Sequence, residues 1–133
     1  MIAYIHSATI AVSDQEAALD FYVNKLGWEK RIDYPMGDGY RFVTVAPPGG
    51  QAELALQPAE TLRIAPGEGI AREGSGMDGH IGISLAVENF DETYRTLVER
   101  GVRFTGEPED MPWGDKAAWM VDPDGNTFFF VGK

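Results

Sequence analysis

Val121-Asp122-Pro123-Asp124-Gly125-Asn126-Thr127 reads as a tight turn joining two strands. Proline fixes φ there, and glycine or asparagine accepts positive φ. The stretch Val45-Ala46-Pro47-Pro48-Gly49-Gly50-Gln51 carries similar punctuation 76 residues upstream (45 against 121). Working outward, Leu26-Gly27-Trp28 is answered by Arg100-Gly101-Val102, an offset of 74 (27 against 101). Ser7-Ala8-Thr9-Ile10-Ala11-Val12-Ser13-Asp14 is answered by Gly82-Ile83-Ser84-Leu85-Ala86-Val87-Glu88-Asn89, an offset of 75 (7 against 82). An offset held this closely along the whole unit marks an internal duplication.

Each unit reads as strand, helix and three strands. Ala17, Ala18, Phe21, Tyr22 and Leu26 recur at helical spacing, predicting a helix from about Asp14 to Leu26 that stops at Gly27. Phe90, Tyr94, Leu97 and Val98 predict a second, from about Phe90 to Arg100, stopped by Gly101. The expected division is a first module over about 1–60, a glycine-rich linker over about 61–79 and a second module over about 80–133. Gly67-Glu68-Gly69 and Gly74-Ser75-Gly76 fall in that linker and neither opens a helix after a strand, so they carry no phosphate-binding signature.

At 133 residues, 44% of them apolar, the chain can build one domain with a real core. No apolar run approaches the length that spans a bilayer, and no basic region precedes the apolar N-terminal stretch, so a membrane helix and a secretory signal are not expected. There are no cysteines, hence no disulfide, thiolate metal site or cysteine nucleophile, and a cytoplasmic protein is expected. The formal charge is −10, from 11 basic and 21 acidic side chains. That excess opposes a nucleic-acid partner, which needs a basic face. It is compatible with a cationic ligand, and also with solubility alone.

A polar-small strand ending in Val-x-Asp (Val12-Ser13-Asp14), a helix carrying Phe21-Tyr22 then Leu26-Gly27, and the closing Asp122-Pro123-Asp124-Gly125-Asn126 hairpin together resemble the vicinal oxygen chelate superfamily of glyoxalases, bleomycin-resistance proteins and extradiol dioxygenases. The resemblance spans nearly the whole chain. It implies an α+β fold in which two βαβββ modules form a half-open, cup-shaped eight-stranded mixed sheet, with helices on the convex side. It also implies a homodimer with the ligand on the concave side.

Alternation assigns side chains to faces. Ser7, Thr9 and Ala11 are small or polar against bulky Ile10 and Val12, and Gly82, Ser84 and Ala86 alternate with Ile81, Ile83, Leu85 and Val87. The bulky sets are expected under the helices and the small sets in the cup. The same logic sends Trp119, Val121, Thr127, Phe129 and Val131 to the second cup and Met120, Phe128 and Phe130 to the helix. In the first unit the expected cup set is Arg41, Val43, Val45, Glu53, Ala55 and Gln57, with Tyr40 and Phe42 in the core and Arg41 pairing with Glu53.

Metalloenzymes that the chain resembles hold one divalent ion through His, Glu or Gln at four cup positions. Those positions fall here on Ser7, Glu53, Gly82 and Phe129, of which only Glu53 coordinates well. A catalytic zinc, nickel or iron site needs at least three good ligands and an open position. His6 lies one residue before a ligand position and His80 two before, so a shifted set of His6, Glu53 and His80 would require both strands to slip. The expectation is therefore a metal-independent small-molecule-binding protein without a cofactor, sequestering an aromatic or cationic natural product in the manner of the bleomycin-resistance branch. Trp119 and Phe129 would form its platform and Trp113 its lid, with Ser7, Glu53, His80 and Arg41 as further ligand-binding residues. The alternative is a glyoxalase-like lyase, isomerase or dioxygenase using a divalent metal on an atypical set. No catalytic residue is assigned.

Overall fold

The computed structural model describes residues 1–37, 39–69 and 79–133. They form two compact units, Met1–Pro66 and Gly67–Lys133. In the first, β1 (Ser7–Val12) is followed by α1 (Gln15–Leu19), β2 (Glu29–Pro35), β3 (Arg41–Ala46), β4 (Glu53–Pro58) and a single turn of helix, α2 (Ala59–Leu62). The sheet order is β1-β4-β3-β2, with β1 parallel to β4 and the other pairs antiparallel. In the second unit, β5 (His80–Val87) precedes α3 (Phe90–Glu99), two short strands, β6 (Arg103–Phe104) and β7 (Glu109–Asp110), and the hairpin of β8 (Lys116–Val121) and β9 (Thr127–Gly132). Here the order is β5-β9-β8-β6, with β7 also on β8. The duplicated βαβββ plan is present, the second strand of the second copy being split into β6 and β7, both paired with β8.

The first helix departs from a plain α-helix. Asp14 caps it, its carboxylate accepting from the Glu16 N–H at 3.0 Å, but after Leu19 the chain widens into a π-helical segment, Asp20–Lys25. Leu26 N donates to Phe21 O, five residues back, at 3.1 Å. The wider turn keeps the adjacent Phe21 and Tyr22 both buried, edge to face at 4.9 Å, with Trp28 against Tyr22 at 5.4 Å.

The expected linker of 61–79 is only partly in view. Thr61 and Leu62 belong to or border α2, while residues 70–78, including Gly74-Ser75-Gly76, lie outside the described residues. On its far side the chain is tied to the second hairpin: Gly67 N donates to Asn126 Oδ1 at 3.3 Å, and Thr127 N donates to Gly79 O at 2.8 Å. Gly79 sits at φ +82°, and a Cβ there would lie 2.6 Å from Gly125 O. Gly79→Ala is expected to cost about 2–3 kcal/mol of stability, from left-handed strain and that collision together. A lowered urea midpoint with unchanged slope would show it, and a midpoint equal to that of the parent would refute it.

Candidate functional site

In the second unit the two faces of the sheet separate cleanly. Met120 and Phe128 are fully shielded and Phe130 nearly so, and the Phe130 ring meets Phe90 of α3 at 5.5 Å and Phe104 at 5.4 Å. Trp119 and Phe129 are direct cross-strand partners on the opposite face. Their ring centroids lie 4.8 Å apart at 51°, and both rings are half-buried. His80, at the start of β5, packs edge-on to Trp119 at 4.7 Å. Its Nδ1 lies 3.3 Å from the Thr127 carbonyl, which can only accept, so in the neutral ring this contact favours the proton on Nδ1. Trp119, Phe129 and His80 thus form one aromatic cluster on the face away from α3. Trp113 stands apart from them, in the turn between β7 and β8, 60% exposed with its Nε1 donating to Asp115 at 2.9 Å.

The β5–β9 ladder is irregular near its start. Gly82 does not face Phe129. Between His80 and Ser84 the β5–β9 register slips, so that His80 pairs with Thr127 but Ser84 pairs with Phe129. Gly82 lies in that irregularity at φ +80°. The bulge inserts residues that alignment on Asn89 alone cannot place.

The first unit overturns three expectations. Glu53, Ala55 and Gln57 share their face with Phe42, Thr44 and Ala46, not with Arg41, Val43 and Val45, because Thr44 pairs with Ala55 and Val45 with Leu54. Val43 and Val45, fully shielded, take the core face expected of Tyr40 and Phe42, which are only half-buried. Arg41 does not pair with Glu53. It bonds Glu16 of α1 at 2.6 Å and Asp33 of β2 at 2.9 Å. Glu53 instead accepts from the Thr44 hydroxyl at 2.8 Å and lies 3.9 Å from the Arg31 guanidinium. Ser7 is its direct partner on β1. His6 is exposed ahead of that strand, and its carbonyl accepts the Glu53 N–H at 2.9 Å.

Hydrogen bonds donated to Glu16 and Asp33 raise the Arg41 pKa above its ordinary value, and those received from Lys30 and Arg41 hold Asp33 below the usual carboxylate value. A depressed carboxylate stabilises the fold above its unfolded pKa and loses that contribution as pH falls through the folded one. These groups all keep contact with solvent, which screens them, so Arg41→Ala is expected to cost about 1 kcal/mol, and less at acid pH. It should leave binding of an aromatic ligand as it was, which calorimetry checks. A large affinity loss would return Arg41 to the site.

The superfamily's metal does not fit this donor set. Ser7, Glu53, Phe129 and either Gly82 or Ser84 supply one carboxylate, already engaged by Thr44 and facing Arg31. Among the described residues no three His, Asp or Glu side chains converge. His80, the better-placed histidine, is packed on Trp119 instead. No helix among the described residues is long and apolar enough to cross a membrane.

The chain belongs to the Glyoxalase/Bleomycin resistance protein/Dioxygenase superfamily, whose family model matches residues 4–130. A solved member of that superfamily from Sphaerobacter thermophilus DSM 20745 is 51% identical, over 99% of this chain and 98% of that one, with a TM-score of 0.82. TnmS3, an antibiotic binding protein from Streptomyces sp. CB03234, is 31% identical over 98% and 96% of the two chains, with a TM-score of 0.78. The uncharacterized protein YetH of Bacillus subtilis (strain 168) is 30% identical over 128 residues, 96% of this chain and 97% of that one.

Proposed function

We propose that this protein binds a small aromatic natural product without a metal and without chemistry, and protects by sequestering it. The observation that carries the reading is the platform of Trp119 and Phe129, with His80 against it, on the face that α3 leaves free. Aromatic faces held rigidly in this way recognise flat or cationic partners by stacking and cation–π attraction. An apolar ring at Phe129, where a metalloenzyme needs a carboxylate, removes a ligand and supplies a stacking surface in its place. The likeness to TnmS3, an antibiotic binding protein, supports the same reading. Within it, Trp113 serves as a lid, and the protein acts as a cytoplasmic homodimer.

The test is a titration of the purified chain with polycyclic and glycopeptide antibiotics, followed by tryptophan fluorescence. Saturable quenching by a polycyclic compound, with unchanged ligand recovered afterwards, is the expected result. Stoichiometric metal in protein purified without chelators, lost in Glu53→Ala, would instead favour the metalloenzyme.

A further inference from the structure

The edge strands beside the platform carry charge in a fixed order. Arg103 pairs with Val121 and Glu109 with Ala117, on either side of Trp119 along β8. Directly opposed residues on antiparallel strands send their side chains to the same face. Val121, Trp119 and Ala117 alternate with Met120, so Arg103, Trp119 and Glu109 all belong to the face away from α3. Thr105 N donates to Trp119 O at 2.9 Å, which holds the edge in register between the two charges. Two residues of strand separate each charged position from Trp119, about 7 Å on either side. Both Arg103 and Glu109 are exposed, and neither makes an ion pair or a side-chain hydrogen bond among the described residues. Arg31, Arg41 and Lys116, by contrast, are each matched with a carboxylate.

We infer that the Trp119 platform is a polar one, which takes an amphoteric aromatic ligand with its acidic group towards Arg103 and its basic group towards Glu109. The inference rests on the binding reading above and narrows it. Net charge describes the whole surface and favours cations everywhere, whereas these two residues set a direction along one platform. A ring stacked on Trp119 brings substituents at its two ends within reach of one charge each. Long side chains with no other partner among the described residues can meet them, and a charge-assisted hydrogen bond to either is stronger than a neutral one.

The test uses calorimetry on the full chain at low ionic strength, where screening leaves the effect readable. The probes are anthraquinone-2-carboxylate, 2-(aminomethyl)anthraquinone and the neutral anthraquinone-2-carboxamide. Arg103→Gln is expected to lower the ratio of carboxylate to amine affinity by about three- to tenfold, and Glu109→Gln to raise it by about as much. Arg95→Gln and Glu92→Gln, exposed on α3, change net charge equally and should move the ratio far less. A ratio that moves equally in all four variants, or in none, overturns the polar platform while leaving aromatic binding intact. Failure of all three probes to bind overturns the platform reading itself, and the inference with it.

Discussion

Asp122→Ala is expected to destabilise the protein by about 3–4 kcal/mol, more than any exposed charge could. The carboxylate is buried at the mouth of the β8–β9 hairpin and accepts from Asp124 N at 2.9 Å, Asn126 N at 2.8 Å and Asn126 Nδ2 at 3.0 Å. Alanine leaves those donors behind with no water to replace the lost oxygen, and each stranded buried donor costs about 1–3 kcal/mol. The damage spreads, because Asn126 in turn holds the Gly67 N–H through its own side-chain oxygen. Asp122→Asn keeps an acceptor for the backbone donors but turns an amide towards Asn126 Nδ2, so it should cost less, about 1–2 kcal/mol. Urea denaturation of the three proteins measures the order. An alanine variant within about 0.5 kcal/mol of the parent, the range of an ordinary surface substitution, would mean that this network does not hold the hairpin.

The same hairpin explains why the second unit was legible in the sequence and the first was not. From Val121 to Thr127 the connection holds five residues, and Trp119, Val121, Thr127 and Phe129 share one face across it, as their parity suggests. Between Ala46 and Glu53 the connection holds six, Pro47 to Ala52. One additional residue reverses the parity between strands, and a period of two turns that into the opposite face for a whole strand. Reading the first unit by analogy with the second therefore joined Arg41 to Glu53, when the ladder sends Arg41 towards Glu16 and Asp33. The proline-glycine composition announces a turn at both places and does not announce its length in space. Around Gly82 a slip in the β5–β9 ladder, at a glycine with positive φ, separates sequence offset from spatial partner. Within the second unit, the alternation of Phe128, Phe129 and Phe130 was enough, because three large rings in a row can only divide between the two faces of one sheet.

That division bears most directly on Trp119, and replacing it should have the largest effect on binding. Trp119→Ala removes the broader half of the platform and the surface against which His80 and Phe129 are packed. An aromatic anchor that a ligand covers typically contributes about 2 kcal/mol or more, so affinity for a polycyclic ligand is expected to fall roughly thirtyfold. The fold should survive, since the ring is half-exposed on the face away from α3 and the core beneath it, Met120, Phe128 and Phe130, is untouched. Trp119→Phe keeps a stacking face and should recover most of the affinity. Trp113→Ala makes a useful contrast. If that exposed ring closes over a bound ligand, its loss shortens residence by speeding dissociation while association changes little. Surface plasmon resonance with one immobilised ligand reads all three variants together. Equal affinity for Trp119→Ala and the parent, with both proteins folded by circular dichroism, would remove the platform from the site. The recognition surface would then have to be sought on the Glu53 face of the first unit, where Thr44 and Ser7 are the polar neighbours.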